Sequence, residues 1–362
     1  MTEASRPLIQ YLACPRCGGA LSRTVFAGTE TVIEEGLLTC GCGASYPVVE
    51  GIPRMLPDAL ARHPAWAAEH GLLSPGTPRP GGPPPMQAPE TVRCFGVEWS
   101  RHPRPYPPEK LRQVVLGQTG LPPEDFRGRL ILDAGCGHGS QAAFMGELGA
   151  RVIGVDLSPD AAAVARQKIG RDARGLVVQA DLACLPFPDG LFDLVYSEGV
   201  LHHTRDPKAS FRHLVRKVRP GGYIAAGFYL KPSWATGRLR LWANEGLRRV
   251  LCRLPTPCVR ALTFLSVPLT AIPLVRAAAV RTFVFWDPEN PGWRETWMLN
   301  FDWYGTHAYQ YYFSEEEVLA LFNERELRLT DLFRGKPNFF RATVSPGPAQ
   351  ARAVAGTAPR PS

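Results

Sequence analysis

Short apolar runs alternate with segments of helical periodicity between residues 129 and 228. The runs have the length and the β-branched content of buried strands, and polar or amphipathic stretches separate them. The predicted strands are Arg129–Asp133, Arg151–Ser158, Leu176–Leu182, Phe192–Glu198 and Tyr223–Phe228, with helices over Gln141–Leu148 and Pro207–Val218. Strands that alternate with helices predict an α/β fold, with a Rossmann-like, doubly wound and mainly parallel sheet.

The pattern changes on both sides of this region. Ser314 and Glu317 form a predicted capping box for a last helix, Glu315–Asn323, and two further apolar runs, Leu327–Phe333 and Phe339–Val344, predict closing antiparallel strands. Upstream, the stretch Pro75–Pro85 is too rich in proline and glycine for a helix or a central strand. The predicted segments are a small cysteine-rich module (1–57), a linker and anchor (58–109), an α/β core (110–229), an insert (230–313), a last helix with closing strands (314–344) and a disordered tail (345–362).

Composition places the chain among ordinary globular proteins, with 45% hydrophobic and 20% charged residues. The net charge of +8 is unevenly placed, because residues 230–281 contain nine basic residues and one acid. Basic residues spread evenly over the surface would indicate a nucleic-acid partner. One basic segment instead indicates a local surface that binds an anionic partner or a membrane.

The start of the chain has charged residues and no long apolar stretch, so we expect no secretory signal and a cytoplasmic location. The longest uncharged apolar run, Ala261–Val275, contains two prolines and is too short to predict a transmembrane helix. In a reducing compartment, clustered cysteines favour metal ligation over disulfides.

Four of the nine cysteines form two close pairs, Cys14 with Cys17 and Cys40 with Cys42. Glycines flank both pairs, and four thiolates at tetrahedral corners satisfy zinc and order a segment too small to hold a core. Leu12–Cys17 and Tyr46–Leu56 resemble the zinc-ribbon activator subunits of tRNA and translation-factor methyltransferases, also found fused to bacterial methyltransferases. The second pair has one intervening residue where two are usual, so a metal-free ribbon that packs on the next domain is the alternative.

The first strand of the core runs into a glycine-rich turn, Asp133–Gly139, and then a helix. Glycines let the backbone approach a ligand closely, and the free amides at the helix start favour a negative group. The spacing Gly-x-Gly-x-Gly differs from the dinucleotide pattern and argues against a nicotinamide cofactor. The next two strands end in Asp156 and Asp181, and a carboxylate at such a position can accept hydrogen bonds from ribose hydroxyls.

Residues 130–228 as a whole resemble class I S-adenosylmethionine-dependent methyltransferases, in particular the branch with the ubiquinone and menaquinone biosynthesis enzymes. The resemblance implies that the glycine turn surrounds the methionine part of the cofactor, that Asp156 binds the ribose, and that Asp181 and Leu182 border the adenine. The positions that it assigns to S-adenosylmethionine are Asp133, Ala134, Gly135, Cys136, Gly137, Gly139, Asp156, Leu157, Asp181, Leu182, Ser197 and Glu198.

His202 and His203 follow the fourth strand, on the side where the resemblance puts the methyl acceptor. Either histidine can act as a base or orient the acceptor, with His203 the stronger candidate. The alternative is that both are packed and hydrogen-bonded within the fold. A base is needed only for an acceptor that must lose a proton.

The insert must supply the substrate preference. Leu241–Leu254 predicts an amphipathic basic helix, and Asn300–Tyr312 is dense in aromatic residues that can stack on a planar acceptor. The helix can cover an apolar acceptor as a lid, or it can contact the surface of an anionic membrane. A helical subdomain that packs on the sheet is the alternative.

The sequence therefore predicts a methyltransferase that acts on a small or lipid-like metabolite, with S-adenosylmethionine as cofactor and structural zinc in the ribbon. Peripheral contact with an anionic membrane is an accompanying expectation. One alternative is a tRNA or protein methyltransferase that uses the ribbon to hold its substrate; no RNA-binding motif accompanies the basic residues, which disfavours nucleic acid. The other is a cofactor-binding scaffold without activity.

Overall fold

A computed structural model of the 362-residue chain describes residues 6–72, 107–169, 174–288, 291–305, 309–335 and 338–346. The predicted proline-rich linker, Pro75–Pro85, and the tail from residue 347 onward lie outside the described residues.

A seven-stranded sheet forms the centre of the fold. Five strands are parallel, and two antiparallel strands close one edge. In chain order the strands are β5 (Leu130–Ala134), β6 (Arg151–Asp156), β7 (Gly175–Gln179), β8 (Phe192–Ser197), β9 (Val218–Gly227), β10 (Leu329–Gly335) and β11 (Phe339–Val344). Their spatial order is β10-β11-β9-β8-β5-β6-β7. The predicted Rossmann-like fold class with antiparallel closing strands is confirmed.

Helices cover both faces of this sheet, and buried apolar side chains form a separate cluster on each face. The central strands are almost continuously buried, as expected for parallel strands with helices on both sides. The helices of the core are α3 (Pro108–Thr119), α4 (Ser140–Glu147), α5 (Pro159–Lys168), α6 (Pro207–Lys217) and α12 (Glu315–Phe322). The predicted capping box is present, because Ser314 and Glu317 each accept a hydrogen bond from the other's backbone N–H.

The cysteine-rich module is a four-stranded antiparallel sheet at the other edge of the core. Its strands are β1 (Leu21–Gly28), β2 (Ile33–Cys40), β3 (Ser45–Val49) and β4 (Ile52–Pro53). Just after β4, Arg54 forms a parallel bridge with Gln179 at the end of β7, and the Met55 N–H donates to the Gln179 carbonyl at 2.8 Å. The module therefore covers the last strand of the central sheet, which would otherwise present unpaired backbone groups.

Two short helices, α1 (Ala59–Arg62) and α2 (Pro64–Glu69), follow the module within the segment that the sequence assigns to the linker. The Trp66 indole donates to the Glu35 carboxylate, and the Phe26 and His70 rings stack with their centroids 4.4 Å apart. These contacts hold the start of the predicted linker against the cysteine-rich sheet. The proline content that predicts a linker begins only beyond residue 72.

Met55 offers a test of how strongly the module is attached to the core. Its side chain is fully buried in the cluster that the module shares with the sheet. We expect Met55→Ala to lower the free energy of unfolding by about 2–5 kcal/mol, because it removes buried apolar contacts and leaves a cavity. Urea unfolding followed by far-ultraviolet circular dichroism measures the change. Leu274→Ala, at an exposed position, should change stability by less than about 0.5 kcal/mol.

The described part of the insert between β9 and the last helix contains five helices. They are α7 (Ala235–Leu251), α8 (Thr256–Phe264), α9 (Ser266–Ala271), α10 (Pro273–Ala279) and α11 (Trp293–Tyr304). In the part of the chain that the structure describes, no helix is long and apolar enough to cross a bilayer.

Candidate functional site

The glycine turn lies at the carboxyl end of β5 and has a fixed backbone path. The N–H groups of Gly135 and Cys136 both donate to the Val155 carbonyl, at 2.8 and 2.9 Å. Gly135 has a φ of +85°, and a Cβ there would lie 2.2 Å from Cγ2 of Val200. Only glycine meets both constraints, so the close packing of the turn against the loop after β8 depends on this residue.

Asp156 at the end of β6 holds the turn from the opposite side. One carboxylate oxygen accepts from the Gly137 N–H at 2.9 Å, and the other accepts from the Ser158 N–H at 2.8 Å. The carboxylate is therefore fixed beside the glycine turn before any ligand binds.

A cavity of about 250 Å³ opens at this edge of the sheet. Nine of the twelve predicted cofactor positions line it, namely Asp133, Gly135, Cys136, Gly137, Asp156, Leu157, Asp181, Leu182 and Glu198. The other three, Ala134, Gly139 and Ser197, lie behind its wall. The Ser197 hydroxyl donates to the Ala134 carbonyl at 2.9 Å, which ties β8 to β5, and Gly139 packs against α5.

Five acidic side chains line the cavity. Asp133, Asp156, Asp181, Glu198 and Asp302 all line the cavity, whereas no lysine or arginine does so among the described residues. Burial raises the pKa of Asp133, and the charges of Glu198 and Asp156 raise it further. Burial also raises the pKa of Asp156, against the lowering effect of its backbone hydrogen bonds. Such a wall favours a cationic ligand, which would relieve the repulsion between the carboxylates.

Glu198 is held by side chains from three elements. Its carboxylate accepts from the side-chain amides of Gln118 at 2.5 Å and Gln141 at 2.8 Å. The Tyr196 hydroxyl also contacts it, at 3.0 Å. Because each oxygen has a partner on a different element, the carboxylate is held rigidly at the cavity wall.

The two predicted histidines occupy different positions. His203 lines the cavity, and its Nδ1 lies 3.1 Å from the Tyr309 carbonyl oxygen. A carbonyl can only accept, so Nδ1 carries the hydrogen and Nε2 is the basic nitrogen of the neutral ring. His202 is buried outside the lining and stacks on Tyr229, with the ring centroids 3.5 Å apart.

An aromatic cluster extends from the cavity into the insert. Tyr229 lines the cavity and stacks on Trp303, which packs against Phe285 with 4.2 Å between the ring centroids. Asp302, on α11, is the insert's contribution to the wall. Sequence reasoning missed Tyr229 as a site residue, and it included Asp302 only within the aromatic stretch Asn300–Tyr312. Tyr229 could have been found from its position just after a parallel strand, where ligand-binding side chains collect.

The four predicted metal ligands come together in the cysteine-rich module. The Sγ atoms of Cys14, Cys17, Cys40 and Cys42 all lie within 4.8 Å of one another. The sulfurs of Cys17 and Cys40 are 3.5 Å apart and those of Cys14 and Cys42 are 3.7 Å apart, too far for disulfides. A tetrahedral zinc site with Zn–S bonds of about 2.3 Å needs sulfurs about 3.8 Å apart. The four thiols therefore fit zinc.

Gly19 leaves room for the sulfur atoms of this cluster. A Cβ on Gly19 would lie 3.2 Å from the Cys17 sulfur and 3.4 Å from the Cys40 sulfur. Any larger residue would crowd two of the four ligand atoms.

Comparison with known proteins gives two family matches. Residues 132–226 match the family described as a methyltransferase domain, and residues 6–51 match the Trm112p-like protein family. The chain therefore contains a methyltransferase domain behind a Trm112p-like domain. The predicted resemblance to both families is confirmed.

Individual relatives cover parts of the chain. The 2-methyl-6-phytyl-1,4-hydroquinone methyltransferase of Synechocystis is 28% identical over 50% of this chain and 55% of its own. The ubiquinone biosynthesis O-methyltransferase of Idiomarina loihiensis is 33% identical over 33% of this chain and 49% of its own. A solved complex of the Haloferax volcanii Trm112 methyltransferase activator with a putative methyltransferase matches with 22% identity over 37% of this chain and 61% of that chain, at a TM-score of 0.30. The chain spans about half the length of these two enzymes.

Proposed function

We propose that this chain, in which a methyltransferase domain follows a Trm112p-like domain, transfers a methyl group from S-adenosylmethionine to a small or lipid-like metabolite. The observation that carries the proposal is the cavity, which combines a glycine turn with five carboxylates and, among the described residues, no lysine or arginine. S-adenosylmethionine supplies a methyl group on a positively charged sulfur, with a neutral thioether as the leaving group.

The residues of the cavity suit such a cofactor. Asp156 is held at the end of β6, where its carboxylate can accept from ribose hydroxyls. Asp133 and Glu198 provide negative charge beside the glycine turn, which favours a cofactor with a sulfonium and an ammonium group. Asp181 and Leu182 line the far side, where we assign the adenine.

The acceptor end is the part of the cavity walled by His203, Tyr229 and Asp302. Tyr229 offers an aromatic face for a planar or apolar acceptor, while His203 and Asp302 offer polar groups to orient it. The two named relatives act on a phytyl hydroquinone and in ubiquinone biosynthesis, which supports an acceptor with a ring and an apolar tail. The main work of the protein is then to align acceptor and methyl group and exclude water.

We assign the ribbon a structural zinc ion held by Cys14, Cys17, Cys40 and Cys42. Because β4 and Met55 meet the edge of the central sheet, zinc would stabilise the attachment of the ribbon to the methyltransferase domain.

The described cysteines are all unbridged, which agrees with action in a reducing cytoplasm. Peripheral contact with a membrane surface belongs to the same proposal.

His203 is the group that we assign as the base for an acceptor that must lose a proton. We expect His203→Gln to lower the turnover number by about 10²- to 10⁴-fold and to leave cofactor affinity within about threefold. His213→Gln replaces a histidine outside the cavity and should retain turnover. Single-turnover methyl transfer with each variant makes the measurement. Full turnover by folded His203→Gln would show that His203 is not the base.

The function itself is tested by calorimetric titration with S-adenosylmethionine and S-adenosylhomocysteine, followed by a methyl-transfer screen. The screen offers radiolabelled cofactor with quinols, other lipid-like metabolites, and tRNA or protein in separate reactions. Micromolar binding with label in a quinol or lipid product supports the proposal. Label only in RNA or protein, or binding without any transfer, would replace it with the corresponding alternative.

A further inference from the structure

The insert exposes apolar side chains and buries polar ones. Of the seventeen large hydrophobic residues that are exposed in the described part of the chain, fourteen lie between residues 234 and 293. Trp242 is 75% exposed and Leu274 is 86% exposed. α10 buries none of its residues. We call the surface formed by these fourteen residues the apolar face: Trp234, Leu239, Trp242, Val250, Leu254, Leu262, Phe264, Leu265, Leu269, Ile272, Leu274, Val275, Phe283 and Trp293.

Several buried polar side chains inside the insert are hydrogen-bonded within it. The hydroxyls of Thr263, Ser266 and Thr270 donate to backbone carbonyls one turn earlier in the chain, at 2.7–3.0 Å. The Asn300 side chain bonds to both backbone groups of Phe285. These hydrogen bonds satisfy polar groups that the helices of the insert turn inward, while apolar side chains of the same helices face outward.

A paired charge completes this interior. Arg248 and Glu245 form an ion pair at 3.0 Å with both side chains largely buried, and the Tyr312 hydroxyl donates to the same carboxylate. Glu245 is the one acid between residues 230 and 281. The negative charge of the segment is thus neutralised inside, and the exposed charges of the segment are basic.

Exposed arginines flank the apolar face. Arg238, Arg249 and Arg253 are exposed on or just after α7, and Arg281 is exposed after α10. An apolar face that contains tryptophans and has arginines beside it in the chain fits the boundary between acyl chains and headgroups, where leucines enter the apolar layer and arginines contact phosphates. Exposed apolar side chains concentrated in one segment of a chain commonly mark a surface for a protein or membrane partner.

We propose that the apolar face inserts into the surface of a bilayer that contains anionic lipid, and that the protein binds the membrane in this way without spanning it. The same insert supplies Asp302 to the acceptor end of the cavity, so docking would bring that end close to lipid-dissolved acceptors. The inference extends the peripheral contact proposed above and does not depend on methyl transfer.

Vesicle flotation tests the inference with a readout that needs no activity. We expect the purified full chain to bind phosphatidylcholine vesicles that contain about one third phosphatidylglycerol, and to bind less in high salt or without the anionic lipid. Trp242→Asp combined with Leu274→Asp should weaken binding at least about tenfold. Both positions are exposed, so the fold should survive. Arg249→Glu with Arg253→Glu should remove the preference for anionic vesicles.

Leu332→Asp is the matched control, because it places the same charge at an exposed leucine on β10 and should leave binding unchanged. Two results would overturn the inference. One is a folded wild-type chain that remains in the aqueous fraction. The other is a stable dimer, seen by sedimentation, that Trp242→Asp with Leu274→Asp dissociates, since a second copy would then cover the apolar face. Cofactor binding is measured on the same samples. A sample that binds S-adenosylmethionine but not vesicles contradicts membrane binding alone and leaves the proposed methyl transfer untouched.

Discussion

Replacement of Asp156 is expected to weaken S-adenosylmethionine binding by about 100-fold or more. The carboxylate is the group that we assign to the ribose hydroxyls, and two hydrogen bonds to a charged acceptor contribute about 1.5–3 kcal/mol each. Asp156 also holds the Gly137 N–H, so Asp156→Ala would disturb the turn as well as the contact with the cofactor. Calorimetric titration of the wild type and the variant measures the difference.

Two further variants separate these effects. Asp156→Asn keeps the size of the side chain and one acceptor oxygen but removes the charge, and we expect about tenfold weaker binding or more. Asp160→Ala removes an exposed acid from the first turn of α5 and should bind normally. If folded Asp156→Asn binds the cofactor as tightly as the wild type, the ribose assignment is wrong.

The core and most of the cavity could be predicted because their signals are local. The strands of the parallel sheet are nearly continuous apolar runs, and the glycine turn connects the first of them to a helix. The exceptions are side chains whose direction a motif does not specify. Ser197 belongs to the same run as Glu198, but its hydroxyl points to the Ala134 carbonyl, whereas Glu198 faces the cavity.

The connection between the second predicted helix and the fifth predicted strand lies within a strand. The predictions Pro207–Val218 and Tyr223–Phe228 leave residues 219–222 to connect them, but β9 begins at Val218. Val218 pairs with Phe192 and Tyr223 pairs with Leu194, so the intervening residues bulge out of the ladder. The proline and glycines locate a break in the ladder correctly, but tertiary pairing on both sides continues the strand through it.

The insert shows where helical periodicity gives insufficient information. The pattern of leucines over Leu241–Leu254 predicts an amphipathic helix, and α7 is present. Its buried positions, however, are Gly237, Asn244 and Arg248, while Val250 and Leu254 are exposed. Periodicity identifies two faces, but which face is buried depends on what the neighbouring helices and the surroundings of the protein offer.

Loss of one zinc ligand is expected to release the metal and unfold the ribbon. Structural zinc contributes about 10–16 kcal/mol of apparent binding free energy in small zinc domains. We expect about one equivalent of zinc in the purified wild type and little in Cys17→Ser. Because the ribbon covers the β7 edge, the variant should also unfold at lower temperature and aggregate more readily.

Cys17 is suited to this test because it is exposed, so serine leaves no cavity behind. Cys258→Ser replaces another exposed cysteine, outside the cluster, and should retain both zinc and stability. Metal analysis and thermal unfolding of the wild type, Cys17→Ser and Cys258→Ser distinguish a ribbon that is held by zinc from a metal-free ribbon that is held by packing. If the wild type contains no zinc and Cys17→Ser unfolds at the same temperature, the ribbon is held by its packing on Gln179 and the core rather than by a metal.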